Sequence, residues 1–231
     1  MTRLIAHRGA SAAAPENTVE AFRLARTLGA DWVELDARRT ADDQVVVSHD
    51  PGLADGRNLV DLARADLPTS ICDLADALDA CEGMSINVEI KNIIFDPDHD
   101  PSQRVADHVV ALVAERNLVD RVLVSCFDLD TLDHVKAAIP ALSTAYLHLL
   151  PERGWDDLAA RIAGGGHQAL HPWDPLVDEA YLASARGAGL EVNVWTVNDP
   201  ERMAALVALS VDGICTDMPD VARAVIGLPG A

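Results

Sequence analysis

The chain has 231 residues, 49% hydrophobic and 24% charged, enough to bury a substantial core as one domain over 1–231, at a size that α/β barrels commonly occupy. Its 18 basic residues against 37 acidic ones give a net charge of −19, which excludes nucleic acid and anionic membrane surfaces as general partners, since both require a cationic footprint. No apolar run approaches the roughly 18 residues of a bilayer span, and no targeting segment precedes the first strand, so a cytoplasmic protein is expected.

In chain order, Leu4-Ile5-Ala6 predicts a strand that ends in His7-Arg8-Gly9. A helix follows, with Asn17 as the expected cap, Glu20 three residues on, Val19, Phe22, Leu24 and Ala25 as apolar positions, and Gly29 as the stop. The second strand carries Trp32-Val33-Glu34-Leu35-Asp36, and the third, Val45-Val46-Val47, runs into His49-Asp50. The segment between Asp36 and Val45 is too short for a helix, yet about eight extended residues span roughly 26 Å. The third strand is therefore expected to lie parallel to the second, with Glu34, Asp36 and His49 at one rim.

Further strands are predicted over 86–91, 121–126, 143–148, 168–171, 190–196 and 211–215, and helices over 74–81, 103–115, 129–138, 155–163, 179–188, 200–209 and 221–226. This alternation is the sequence form of a parallel sheet covered by helices. It predicts a TIM (β/α)8 barrel with a short insertion after the third strand. Nine strand candidates compete for eight places, and 168–171, the least strand-like, is expected outside the ring. Segment 96–102, with two prolines and three aspartates, reads as an ordinary acidic loop. Cys72, Cys81, Cys126 and Cys215 lack metal-site spacing and are expected as buried free thiols, which suits a reducing compartment.

Titratable residues gather at strand ends, where a barrel builds its site. Glu34 and Asp36 are two apart on a strand, so both point to one face, where they repel unless a cation or protons intervene. Glu89, two residues before Lys91, offers a third oxygen ligand, and an all-oxygen set suits Mg²⁺ or Ca²⁺. The competing reading makes Glu34 and Asp36 surface residues paired with Arg38 or Arg39. His7 and His49, both just beyond apolar strand residues, form a candidate acid and base pair. Arg8 and Lys91 are anion partners, the first as a planar fork and the second as a point charge; salt bridges to the same acids are the alternative. Phe127 and His171 are candidate wall residues. His99, His108, His134, His148 and His167 are taken as surface or structural, and Asp217 as a cap for the last helix.

Seven motifs occur together: His7-Arg8-Gly9, Pro15-Glu16-Asn17-Thr18, Glu34-x-Asp36, His49-Asp50, Glu89-x-Lys91, Trp195-Thr196-Val197-Asn198 and Asp212-Gly213-Ile214-Cys215-Thr216-Asp217-x-Pro219. In this order they resemble the glycerophosphodiester phosphodiesterase family. The resemblance implies an enzyme that hydrolyses glycerophosphodiesters to an alcohol and glycerol 3-phosphate, with a divalent cation, Mg²⁺ or Ca²⁺, on Glu34, Asp36 and Glu89. It implies His7 as general base, His49 as general acid, and Trp195 as a wall against the alcohol part of a small-molecule substrate. Glycerol and lipid metabolism is the implied setting.

The chain departs from the family in one region: relatives usually carry a longer insertion after the His-Asp strand. Here the stretch between Asp50 and Glu89 holds a compact loop and one helix. A shorter cover implies a more open site, suited to bulkier diesters or completed by a second subunit in a homo-oligomer. Two alternatives follow. A lysophospholipase D would use the same residues, though the acidic composition and the missing hydrophobic hairpin speak against it. A non-catalytic phosphate-binding barrel would not need both histidines.

Overall fold

Short apolar strands, each flanked on both sides by a parallel neighbour, close into a ring in the computed structural model, which describes residues 1–150 and 154–227. The strands are β1 (Arg3–Ala6), β2 (Trp32–Arg39), β3 (Val45–Val47), β4 (Ser85–Ile90), β5 (Val122–Cys126), β6 (Ser143–His148), β7 (Ala169–Pro172), β8 (Glu191–Val194) and β9 (Gly213–Thr216). The ring runs β1-β2-β4-β5-β6-β7-β8-β9 and returns to β1, all parallel. Helices α1 (Val19–Thr27), α2 (Leu74–Ala80), α3 (Arg104–Glu115), α4 (Leu129–Ala138), α5 (Trp155–Gly164), α6 (Glu179–Gly187), α7 (Pro200–Ala208) and α8 (Pro219–Ile226) surround it. This is the expected TIM barrel. Among the described residues, no helix is long and apolar enough to cross a membrane.

The strand left over is β3, and it runs antiparallel to β2, with Ala37 opposite Val47 and Arg39 opposite Val45. The expected parallel third strand is thus corrected. β2 continues three residues past Asp36, and the chain reverses in a tight hairpin closed by Thr40, whose N–H donates to the Gln44 carbonyl at 2.9 Å. Segment 168–171, expected outside, supplies β7. Two flanking strands fix it in the ring despite its inward-facing histidine and its proline.

Alternation along each strand sorts the side chains. Leu4, Ala6, Val33, Leu35, Ile86 and Val88 pack outward against helix residues such as Phe22, Ala25, Val109 and Val113. Facing inward, Leu123, Ala145 and Ala169 pack with Trp32 as a plug, and the Arg3 guanidinium lies 5.3 Å over the Trp32 ring. The inward positions one step nearer the C-terminal rim carry polar and titratable side chains, among them Glu34, Asn87, His171 and Asn193.

At α1, Thr18 is the cap and not Asn17: the Ala21 N–H donates to Thr18 Oγ1 at 3.2 Å. Helix α8 starts at Pro219 without a side-chain cap, so the expected capping role of Asp217 is also corrected. The short insertion after β3 packs Leu59 and Leu67 on Val46 as a small satellite core.

Segment 96–102 is more than an acidic loop. Arg38, 2% exposed, donates from Nη1 to both Asp98 carboxylate oxygens at 2.8 and 2.7 Å, from Nη2 to Asp96 at 2.8 Å, and from Nε to the His49 carbonyl at 2.9 Å. Arg38 therefore ties the loops after β3 and β4 together and does not pair with Glu34 or Asp36. Removing one partner of a buried ion pair leaves the other charge uncompensated, at a cost of about 3 kcal/mol. Asp98→Ala is thus expected to lower the urea midpoint by that free energy divided by the unchanged slope, read by equilibrium denaturation.

Candidate active site

The barrel's C-terminal mouth holds a cavity of about 270 Å³ lined by His7, Arg8, Glu34, His49, Glu89, Lys91, Phe127, His171 and Trp195. Nine of the ten predicted site residues thus meet there. The tenth, Asp36, lies just beneath, its carboxylate held by Lys91, Arg8 and Asn17.

His7 directly follows β1, and the pairing of Ala6 with Thr216 sets it beside Asp217. Their atoms Nδ1 and Oδ1 lie 2.6 Å apart. Ser11 Oγ donates to the same carboxylate oxygen at 2.9 Å, and Asn198 Nδ2 to the other at 2.6 Å. Burial by itself pushes His7 down, but the Asp217 hydrogen bond and the Glu34 charge outweigh it and raise its pKa above the ordinary histidine value. Burial opposes ionisation of Asp217, yet bonds from His7 and Asn198 bring it down to about 2. Asp217 is thus ionised and fixes the His7 tautomer.

His49 is more open, with 39% of its side chain exposed, and its Nδ1 sits 2.8 Å from Asp50 Oδ1. Burial and the neighbouring Lys91 charge lower its pKa below the ordinary value. The two histidines therefore differ in basicity in opposite directions. His171 is buried, contacts Asn193 Nδ2 through Nε2 at 2.9 Å and, by burial, is pushed down to about 3. It is a neutral wall. The Trp195 indole donates to the His171 carbonyl at 2.7 Å, and its ring meets Phe127 edge-on with centroids 5.8 Å apart.

The carboxylates are buried, and one oxygen from each of Glu34, Asp36 and Glu89 lies within 4.8 Å of the others. Lys91 Nζ bridges two of them, at 2.9 Å from Asp36 and 2.6 Å from Glu89. Burial acts against all three acids. It leaves Asp36 low because the Lys91 and Arg8 charges outweigh it, while Glu89 is raised despite Lys91. Burial and the Asp36 charge push Glu34 up to about 8. Glu34 Oε2 accepts the Arg8 backbone N–H at 2.9 Å, whereas its buried Oε1 has no hydrogen-bond partner among the described residues. An orphaned carboxylate oxygen beside two further acids fits a hard divalent cation, and these three can hold one.

Several positioning residues went unread in the sequence. Asn17, at a φ of +58°, donates from Nδ2 to Asp36 at 2.7 Å. Glu16 accepts two bonds from Arg8 Nη1 at 3.1 and 3.0 Å. Gly9 has a φ of +83°, and a Cβ there would fall 2.7 Å from the Ala21 backbone, so the turn presenting His7 and Arg8 requires glycine. Asn198 Oδ1 accepts from Thr216 Oγ1 at 2.9 Å and from the Asp217 N–H at 3.0 Å, which joins the last two motifs. The signal for Asp217 was its position directly after a strand that neighbours β1.

The sequence model of the glycerophosphoryl diester phosphodiesterase family matches residues 7–221. The chain belongs to this family. A glycerophosphodiester phosphodiesterase of Caldanaerobacter subterraneus subsp. tengcongensis is 29% identical, over 95% of this chain and 95% of its own. Among solved structures, an Oleispira antarctica phosphodiesterase in complex with its product sn-glycerol-3-phosphate superposes with a TM-score of 0.89 at 25% identity, covering 99% of this chain and 98% of that one. The Thermotoga maritima glycerophosphodiester phosphodiesterase gives 0.80 at 29% identity, covering 96% of both chains. Both solved structures share the barrel that places this glycerophosphoryl diester phosphodiesterase family member's strand ends around one cavity.

Proposed function

We propose that the chain is a divalent-cation-dependent hydrolase of glycerophosphodiesters, which releases an alcohol and glycerol 3-phosphate and serves glycerol and phospholipid turnover. The observation that carries this reading is the pair His7 and His49 facing one cavity with Glu34, Glu89, Arg8 and Lys91.

His7, its Nδ1 held by Asp217, takes the proton of the glycerol hydroxyl next to the phosphate through Nε2. The glycerol oxygen attacks phosphorus while His49 protonates the departing alcohol. Water opens the resulting cyclic phosphate with the histidines in exchanged roles. Arg8 and Lys91 orient the phosphoryl oxygens. Trp195 and Phe127 form an apolar wall against the glycerol carbons, with His171 behind them. Glu34, Asp36 and Glu89 hold Mg²⁺ or Ca²⁺, which when bound neutralises charge on the phosphoryl oxygens.

Product analysis by ³¹P NMR tests the bond cleaved. Glycerol 3-phosphate and choline from glycerophosphocholine are expected; phosphocholine and glycerol would overturn the reading.

Asp217→Asn keeps the size of the side chain but removes the charge that orients His7. Turnover is expected to fall by about 10²- to 10⁴-fold with little change in KM. Because Asp217 raises His7 while His49 is lowered, His7 sets the alkaline limb of the bell-shaped profile, and in the variant that limb is expected to move to lower pH, as a pH–rate profile would show.

A further inference from the structure

His7, Glu34, Asp36, Glu89 and Lys91 lie on or directly after strands of the closed ring, whereas His49 follows β3, a three-residue strand outside it. The place of His49 over the cavity therefore depends on tethers and not on the barrel itself. Asp50, which meets His49 Nδ1 at 2.8 Å, belongs to the same turn and moves with it, as does the bond from Ser48 Oγ to the Asp50 carbonyl at 3.0 Å. Two bonds reach outside the turn: the Ser48 N–H donates to the Asp36 carbonyl at 3.0 Å, and Arg38 Nε donates to the His49 carbonyl at 2.9 Å. The second acts on the histidine's own peptide unit.

Arg38 is well suited to hold that peptide in one place. Its Nη1 is spent on Asp98 and its Nη2 on Asp96, and with the side chain 2% exposed the guanidinium plane is fixed at both ends. A planar fork so held presents its Nε–H in a single direction. The loop that supplies the two aspartates also carries Ile93 into the lining of the cavity, so Arg38 joins His49 to the opposite wall of the mouth.

We propose that Arg38 is a positioning residue for the proton given to the departing alcohol: through the His49 carbonyl it sets the imidazole at transfer distance from the leaving oxygen. The inference rests on the phosphodiesterase reading above and on His49 as its acid. As the phosphorus–oxygen bond to the alcohol breaks, the electron pair stays on that oxygen, which takes the proton from His49. A displaced imidazole therefore costs rate only where the leaving oxygen needs that proton.

The test measures kcat/KM of wild type, Arg38→Lys and Asp96→Ala on glycerophosphocholine and on a nitrophenyl diester of glycerol 3-phosphate, whose leaving group departs as an anion. The ratio of the two values on one preparation cancels any loss of folded enzyme. Arg38→Lys keeps the charge opposite Asp98 but has no Nε–H to give the carbonyl. Its ratio of glycerophosphocholine to nitrophenyl diester is expected to fall by about 10- to 100-fold, within what a misplacement of about 1 Å costs, and through kcat more than KM. Asp96→Ala, which removes the less buried anchor, is expected to shift the ratio the same way by less, and it carries the test should Arg38→Lys not fold. Both substrates slowed alike would make Arg38 a structural clamp and overturn the inference, as would unchanged rates on both. Equal slowing of both substrates by His49→Ala would overturn the acid assignment beneath it, and a wild-type enzyme silent on both diesters would overturn the phosphodiesterase reading itself.

Discussion

His7→Ala and His49→Ala are each expected to lower kcat on glycerophosphocholine by about 10³-fold, within the 10²- to 10⁴-fold that positioned proton transfer contributes. The two losses should part company when the leaving group changes. A diester whose alcohol is a nitrophenol departs as an anion and needs no proton, so His49→Ala should recover most of its turnover on it. His7→Ala should not, because its proton comes from the nucleophile, which is the same in both substrates. This asymmetry follows from the assignment of His7, oriented by Asp217, as base and of His49, across the same cavity, as acid. Equal rescue of both variants would exchange or dissolve those roles.

Glu34→Gln is the second large effect. Glu34, pushed up to about 8 by burial and by Asp36, is largely protonated at neutral pH without a cation, so glutamine replaces it with little change of charge or shape. The metal-free variant should fold as well as the parent. Wild-type protein is expected to gain thermal stability with added Mg²⁺ or Ca²⁺, since a ligand that binds only the folded state stabilises it by mass action. The variant should show little of this gain. Its turnover at equal cation concentration should fall by about 10³-fold, equivalent to several kcal/mol of charge stabilisation. A variant with the full thermal shift would place the cation elsewhere.

Much of this site was legible because the barrel converts a one-dimensional pattern into a place. Inward-facing positions toward the C-terminal ends of the strands converge, so His7, Glu34, Glu89 and Lys91 could be gathered as candidates from their place in the strands, while their roles and Trp195 came from the family resemblance. His49 also arrived at the cavity, but by a different route. β3 is antiparallel, and His49 is delivered by the loop that Arg38 clamps. A parallel return looked feasible because chain length limits reach without fixing direction; the Thr40 hairpin fixes it.

The supporting partners were less visible. Asn17 resembles a cap in sequence, since a short polar side chain before an amphipathic helix serves either purpose, and only the fold shows it bonded to Asp36. Asp217 was hidden in the same way by the proline that follows it. The exposure of Ile94, Phe95, Leu149 and Leu150 was missed because they lie in loops separated by more than 50 residues of chain. Whether such residues point outward depends on the loops' path and not on periodicity.

The central claim is tested most directly by release of glycerol 3-phosphate from a panel of glycerophosphodiesters, with enzyme first stripped by a chelator and then given Mg²⁺ or Ca²⁺. The account predicts no turnover after chelation and recovery with added cation on at least one diester. Full activity in the chelated enzyme, or none on any diester with cation restored, would contradict it.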